Sequence, residues 1–136
     1  MQGVVVLASE RKDTRYRLLI VDDDEGMREN LAELFDSLGY DVQTASNTPE
    51  ALECLGEREV DLLLTDYKMP GPTGVELIEA ARKRQPGLRA VLMTAFGDSF
   101  TEIESVRRGA IGYLNKPFEA DEIAAFVEKI LTLRED

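Results

Sequence analysis

Four stretches of this chain end an apolar run in a residue able to do chemistry. Leu18-Leu19-Ile20-Val21 runs into Asp22-Asp23-Asp24-Glu25, and Leu62-Leu63-Leu64 runs through Thr65 into Asp66. Ala90-Val91-Leu92-Met93 ends in Thr94, and Ala110 to Asn115 is followed by Lys116. Carboxylates can hold a hard divalent cation or act as nucleophiles. A hydroxyl and an ammonium can donate to phosphoryl oxygens. Together these groups suit phosphoryl transfer. Each one also has an ordinary explanation. Asp23, Asp24 or Glu25 could cap a helix, because acids are favoured at a helix amino end. Asp66 could cap the loop after it, Thr94 could finish a strand and Lys116 could be solvated. The fold must decide whether they meet.

The apolar runs have strand length, and the segments between them have a helical period. Tyr16 to Val21 is expected as the first strand. Gly26 to Leu38 is the first helix, with Met27, Leu31, Leu34, Phe35 and Leu38 on one face and Gly39 as its stop. Tyr40 to Ala45 alternates as a second strand with Val42 inward. Asn47-Thr48-Pro49-Glu50 is a helix start, with a cap candidate, an early proline and an acid. Helix two carries Ala51, Leu52 and Leu55, with Cys54 packed beside them as a small apolar group. Asp61 to Asp66 is the third strand, and a loop of breakers runs from Tyr67 to Gly74. Helix three spans Val75 to Arg84, and Ala90 to Thr94 is the fourth strand. Ser99 with Glu102 forms the pattern of a capping box for helix four, which Gly109 ends. Its apolar face, Phe100, Ile103 and Val106, is thin. Ala110 to Asn115 is the fifth strand. Helix five carries Ile123, Phe126, Val127, Ile130 and Leu131, a stripe suited to core packing.

Composition narrows the field. The 136 residues suit one domain with one core, and 43% of them are hydrophobic. The formal charge of −11 disfavours direct nucleic-acid binding. The absence of histidine excludes Ser-His-Asp chemistry and imidazole metal sites. The lone Cys54 excludes an intramolecular disulfide and points to a reducing compartment. Val4 to Leu7 is too short to cross a membrane and lacks the basic flank of a signal peptide. A soluble, cytoplasmic protein is expected, with no membrane contact.

Five strands alternating with five helices predict an α/β fold, a doubly wound five-stranded parallel sheet of order 2-1-3-4-5. That order places strands one and three side by side, roughly 4.8 Å apart, flanking the crevice where the crossovers diverge. Asp22, Asp23 and Asp66 converge there, with Thr94 and Lys116 from the next two strand ends. Three unpaired carboxylates would repel. Mg²⁺ suits such a site, with carboxylates, a backbone carbonyl, waters and phosphate oxygens as ligands. Three carboxylates, one lysine and one divalent cation sum to about zero charge, so a dianionic phosphoryl donor can approach. Asp66 would be the nucleophile and form an acyl phosphate.

These residues resemble the receiver domain of two-component response regulators, similar to the chemotaxis receivers with their flavodoxin-like fold. The resemblance runs from about Arg17 to Leu133. It rests on Asp22-Asp23, on Asp66 within Leu63-Leu64-Thr65-Asp66-Tyr67-Lys68-Met69-Pro70-Gly71, on Thr94-Ala95 and on Lys116-Pro117-Phe118. It implies that Asp66 is the phosphoacceptor and that a sensor histidine kinase or phosphotransfer protein is the donor. It implies that Asp22, Asp23, Asp66 and the main-chain carbonyl of Lys68 arrange Mg²⁺, with Mn²⁺ as a substitute. Thr94, Lys116 and Tyr113 are then the phosphoryl-binding and switch residues. Phosphorylation would bias the surface of helix four, strand five and helix five between two packings. That surface would meet a downstream output domain or protein, and it is also open to a second copy as a homodimer. Lys68 and Phe96 should border the path of the water that removes the phosphoryl group. Two departures stand out. In Gly71-Pro72-Thr73-Gly74 the residue before the last glycine is not the family's frequent acid, and the Val4–Leu7 extension is unusual.

Residues 1–15 are expected as an N-terminal extension and linker, and 16–136 as the receiver domain. Nothing after Leu133 reads as an output domain, so a stand-alone receiver and a piece of a longer regulator or hybrid kinase are both open. Two rivals remain. Asp22-Asp23-Asp24 also resembles the opening motif of haloacid-dehalogenase-type phosphatases, with Asp22 as nucleophile and Asp24 as general acid. A non-phosphorylated pseudo-receiver would only bind partners.

Overall fold

A computed structural model describes residues 14–95 and 98–133 of the chain. The elements alternate: β1 (Arg17–Val21), α1 (Glu25–Ser37), β2 (Asp41–Ala45), α2 (Thr48–Glu57), β3 (Leu62–Asp66), α3 (Gly74–Arg84), β4 (Arg89–Thr94), α4 (Ser99–Arg107), β5 (Gly112–Asn115) and α5 (Ala120–Thr132). The strands form one parallel sheet of order β2-β1-β3-β4-β5. This is the order expected from the sequence.

Strand alternation divides the core into two layers. Leu18 and Ile20 of β1, Leu62 and Leu64 of β3, and Val91 and Met93 of β4 face Leu31 and Phe35 of α1 and Ile123 and Val127 of α5. Leu19, Val21, Leu63, Ala90 and Leu92 face the other way, onto Ala51 and Leu55 of α2 and Leu77, Ile78 and Ala81 of α3. Both faces of the central strands are covered, which is why those strands read as unbroken apolar runs. The register pairs Val21 with Thr65, and Asp66 with Met93, so β1, β3 and β4 end at one level. Val42 packs on the α1 and α5 layer, and Cys54 packs against the α2 and α3 layer, both partly buried.

The helix starts are chemically explicit. Asp24 caps α1 by accepting from the Gly26 N–H at 3.0 Å, and Asn47 caps α2 by accepting from the Glu50 N–H at 2.9 Å. Thr73 and Glu76 form a capping box at α3: the Glu76 carboxylate accepts from the Thr73 N–H at 2.8 Å, and the Thr73 hydroxyl accepts from the Glu76 N–H at 3.3 Å. Thr73 thus caps α3 without an acid at that position.

Two expectations need correction. Ser99 does not cap α4. Asp98, one residue earlier, accepts from the Thr101 N–H at 2.7 Å, and Ser99 is the first helical residue. An ionised carboxylate accepts more strongly than a hydroxyl, so the acid takes the position. The thin apolar face of α4 points away from the core. Phe100, Ile103 and Val106 are 73%, 58% and 58% exposed, while Thr101 and Ser105 are buried. Leu38, expected on the inner face of α1, is exposed, because it is the residue at which the helix ends. The Val4–Leu7 patch and Phe96 lie outside the described residues.

Candidate functional site

Four of the five strand ends, those of β1, β3, β4 and β5, each contribute a group. Asp22 directly follows β1 and is fully buried. Asp66 is the last residue of β3, and Thr94 the last of β4; both are buried. Lys116 directly follows β5, and its N–H donates to the Thr94 carbonyl at 2.8 Å, which extends the ladder by one bond and turns the side chain back over the sheet edge.

The charged groups converge as expected. Lys116 Nζ donates to Asp22 Oδ2 at 2.8 Å and lies 3.3 Å from Asp66 Oδ1. Asp22, Asp23 and Asp66 each offer one carboxylate oxygen, and these oxygens lie within 4.8 Å of one another. Asp23 sits at the exposed rim, between buried Asp22 and Asp24 at the helix cap. Asp24 also donates its N–H to Asp22 Oδ1 at 3.0 Å. The two explanations of the acidic run are therefore divided by residue: Asp24 caps the helix, and Asp22 and Asp23 face the crevice.

Electrostatics identify the strained group. Burial pushes the Asp66 carboxyl above its usual range, and the neighbouring Asp22 charge adds to this; Lys116 and the Tyr67 N–H only partly offset it. For Lys116, burial pulls the ammonium down, but the hydrogen bond and charge of Asp22, followed by those of Asp66, carry it above its usual range. One ammonium thus serves two crowded carboxylates, with Asp23 at the rim as a third. A hard divalent cation fits this donor set of oxygens better than any further side-chain cation could, because it neutralises two charges from one small volume.

The remaining expected residues take flanking positions. Lys68 is exposed in the loop two residues after Asp66. Tyr113 lies on β5 opposite Leu92 and packs, partly buried, against the α2 and α3 layer. Its hydroxyl is buried with no hydrogen-bond partner among the described residues. Burial pushes its phenol up, and the Glu102 and Asp98 charges add to that.

Two contributors escaped the sequence reading. Gly74 is buried directly behind Asp66: a Cβ there would stand 2.1 Å from the Asp66 carbonyl oxygen. Its N–H donates to the Tyr67 carbonyl at 2.8 Å, which folds the loop back onto β3. The Thr73-x-x-Glu76 spacing could have placed this helix start, but nothing local signals the close approach. Arg28 of α1 donates from Nη1 to the Asp22 carbonyl at 2.9 Å, a contact visible only once the helix is docked.

The family model for the response regulator receiver domain matches residues 18–128. The chain is 37% identical over 118 residues to sporulation initiation phosphotransferase F of Bacillus subtilis (strain 168), covering 87% of this chain and 95% of that protein. It is 36% identical over 113 residues to the DNA-binding transcriptional regulator NtrC of Escherichia coli (strain K12), where the match covers 83% of this chain but 24% of the regulator. Among solved structures, a CheY-like response regulator receiver domain protein from Methanospirillum hungatei JF-1 superposes with a TM-score of 0.84 at 29% identity, over 87% of this chain and 94% of that one. Described residues include no helix long and apolar enough to cross a membrane. With the sheet order, the acidic crevice and the family model in agreement, the chain belongs to the response regulator receiver domain family.

Proposed function

We propose that Asp66 is the residue on which this receiver accepts a phosphoryl group, delivered from the phosphohistidine of a sensor histidine kinase or a phosphotransfer protein. The observation that carries this reading is the Asp22, Asp23 and Asp66 cluster closed on its far side by Lys116. Asp66 attacks phosphorus in line. The new P–O bond forms as the P–N bond to the donor imidazole breaks, and the freed ring nitrogen keeps the electron pair and takes a proton from solvent. Lys116 places a positive charge beside Asp66 and the incoming oxygens. Asp22, Asp23 and Asp66, with the Lys68 carbonyl by family resemblance, would hold Mg²⁺, or Mn²⁺ in its place. When bound, the cation neutralises charge on the carboxylates and the phosphoryl oxygens.

The reaction consumes the acceptor, so the protein acts as a switch that is set once per signal, assisting its own phosphorylation and hydrolysis. Thr94, at the neighbouring strand end, donates to a phosphoryl oxygen, and Tyr113 responds to its movement. The output is read on the face of α4, β5 and α5, where Phe100, Ile103, Val106 and Ile111 are exposed. Its partner there is an output domain or protein, or a second copy of the chain.

The geometry disfavours a phosphatase using Asp22. Both Asp22 carboxylate oxygens are engaged, by the Asp24 N–H and by Lys116, and Asp24 is committed as a helix cap. The test is intact mass after incubation with a small acyl phosphate and Mg²⁺, with and without chelator. Wild type should gain one phosphoryl group only when Mg²⁺ is free, and Asp66→Asn should gain none. Normal labelling of Asp66→Asn would refute the assignment, and steady phosphate-ester hydrolysis lost in Asp22→Asn would favour the phosphatase.

A further inference from the structure

Asp22 is held at every polar atom. Its N–H donates to the Ala45 carbonyl at 3.2 Å, Oδ1 accepts from the Asp24 N–H at 3.0 Å, and Oδ2 accepts from Lys116 at 2.8 Å. The remaining atom, the main-chain carbonyl oxygen, accepts from Arg28 Nη1 at 2.9 Å. That carbonyl belongs to the peptide plane linking Asp22 to Asp23. Its orientation sets where the Asp23 side chain starts, and Asp23 is the rim member of the acidic cluster.

Arg28 is partly buried on the first turn of α1, and its charge also acts on the β2–α2 region. The Glu50 carboxyl on α2 is held below its usual range chiefly by the Ser46 N–H and hydroxyl, which donate to it at 2.9 and 2.8 Å, with the Arg28 charge contributing. Ser46 follows Ala45, the residue that accepts from the Asp22 N–H. Arg28 therefore stands between the β1–α1 turn and the β2–α2 loop, touching one directly and the other through charge.

We propose that Arg28 is a positioning residue of the metal site: by fixing the Asp22–Asp23 peptide plane it presents both carboxylates to the cation. This rests on the acidic cluster being the Mg²⁺ site of the receiver. The sign of its effect separates the proposal from a plain charge effect. A guanidinium beside a divalent-cation site repels the cation, so deleting Arg28 as a charge alone would tighten Mg²⁺ binding. Deleting it as a positioning group weakens binding, by about tenfold on the scale seen for outer partners of metal ligands.

The experiment titrates Mg²⁺ alone into the full chain by calorimetry, for wild type, Arg28→Met and Arg28→Lys, with heat melting as the check on folding. Methionine keeps an unbranched apolar stem and removes both charge and donors. Arg28→Met should bind Mg²⁺ about tenfold more weakly, and Arg28→Lys should fall between the two, since lysine keeps the charge but not the planar fork. The second readout needs no metal: amide exchange at Asp23 and Asp24 should be faster in the metal-free Arg28→Met protein than in wild type. Equal or tighter Mg²⁺ binding by folded Arg28→Met, or wild-type exchange at both amides, overturns the proposal. If Arg28→Met does not fold, exchange at Asp24 in Arg28→Lys decides, and a wild-type rate overturns it. Wild type that binds no Mg²⁺ would instead overturn the reading of the acidic cluster itself.

Discussion

Gly74→Ala is the most informative single perturbation, because its two effects have opposite signs. Gly74 has no positive φ and opens α3, so the backbone itself tolerates alanine there. Helix propensity alone would make the substitution stabilising by about 0.5–1 kcal/mol. The added methyl, however, would stand 2.1 Å from the Asp66 carbonyl oxygen, 2.9 Å from its carbon and 3.0 Å from Leu92 Cδ1. Relaxed C···O contacts lie near ~3.3 Å, so α3 and the end of β3 must part by roughly 1 Å. Overpacking of this kind costs about 1–3 kcal/mol, which outweighs the propensity gain. A net loss of about 1–2 kcal/mol lowers Tm by roughly 3–10 °C in a domain of this size. The functional consequence is larger. Misplacing a reacting group by ~1 Å can cost about a hundredfold in rate.

The assay is the rate of Asp66 labelling by a small acyl phosphate at saturating Mg²⁺, beside thermal melting. Gly56→Ala on α2 is the control, since a Cβ there meets nothing within 4 Å. Gly56→Ala should leave labelling unchanged and Tm equal or slightly raised. Gly74→Ala should lower both Tm and rate. A Gly74→Ala protein that melts higher than wild type and labels at the wild-type rate would refute the argument, because it would mean the close approach constrains nothing.

Two further outcomes follow from the same geometry. Lys116→Ala removes the cation shared by Asp22 and Asp66, so it should bind Mg²⁺ at least as tightly as wild type while accepting phosphate more slowly; Thr94→Ala should accept it and yet lose the change in amide exchange over Ser99 to Leu133, and a wild-type-sized change in both variants would contradict the switch. If Phe96 borders the water path, as the family resemblance implies, Phe96→Ala should shorten the lifetime of the phosphorylated protein at fixed Mg²⁺, and an unchanged or slower decay would remove Phe96 from that role.

The site was legible because of how a parallel sheet is buried. Covered on both faces, β1, β3 and β4 carry apolar runs, so the polar residues that end each run mark the sheet edge. Asp22, Asp66 and Thr94 announce themselves in this way, and the 2-1-3-4-5 order then brings them together. Gly74 and Arg28 were illegible for the opposite reason. What they do depends on an atom distant in the fold or on a main-chain carbonyl, and neither leaves a pattern in residue types. Helix four is legible only in part. The spacing of Phe100, Ile103 and Val106 shows that they share a face, but periodicity does not say which way that face points.

The outward face of α4 is consistent with where the chemistry sits. Asp22 and Asp66 lie at the ends of β1 and β3, whose apolar side chains are buried, so their main chain cannot shift without disturbing the core. Helix α4 buries Thr101 and Ser105 and leaves its large apolar side chains in solvent. It is tied to α3 by the Arg108–Glu79 ion pair at 3.0 Å, an interaction between partly exposed groups that solvent screens. Moving it therefore breaks little, and on the proposed function a change at Thr94 and Tyr113 would shift it where the same change would not shift β3. An exposed apolar ridge on such a helix is also what a partner can cover to hold one of two packings. On the proposed function, rigid chemistry at the sheet edge and an apolar helix face beside it would be two halves of one device, in which a covalent event at Asp66 becomes a surface another protein can read.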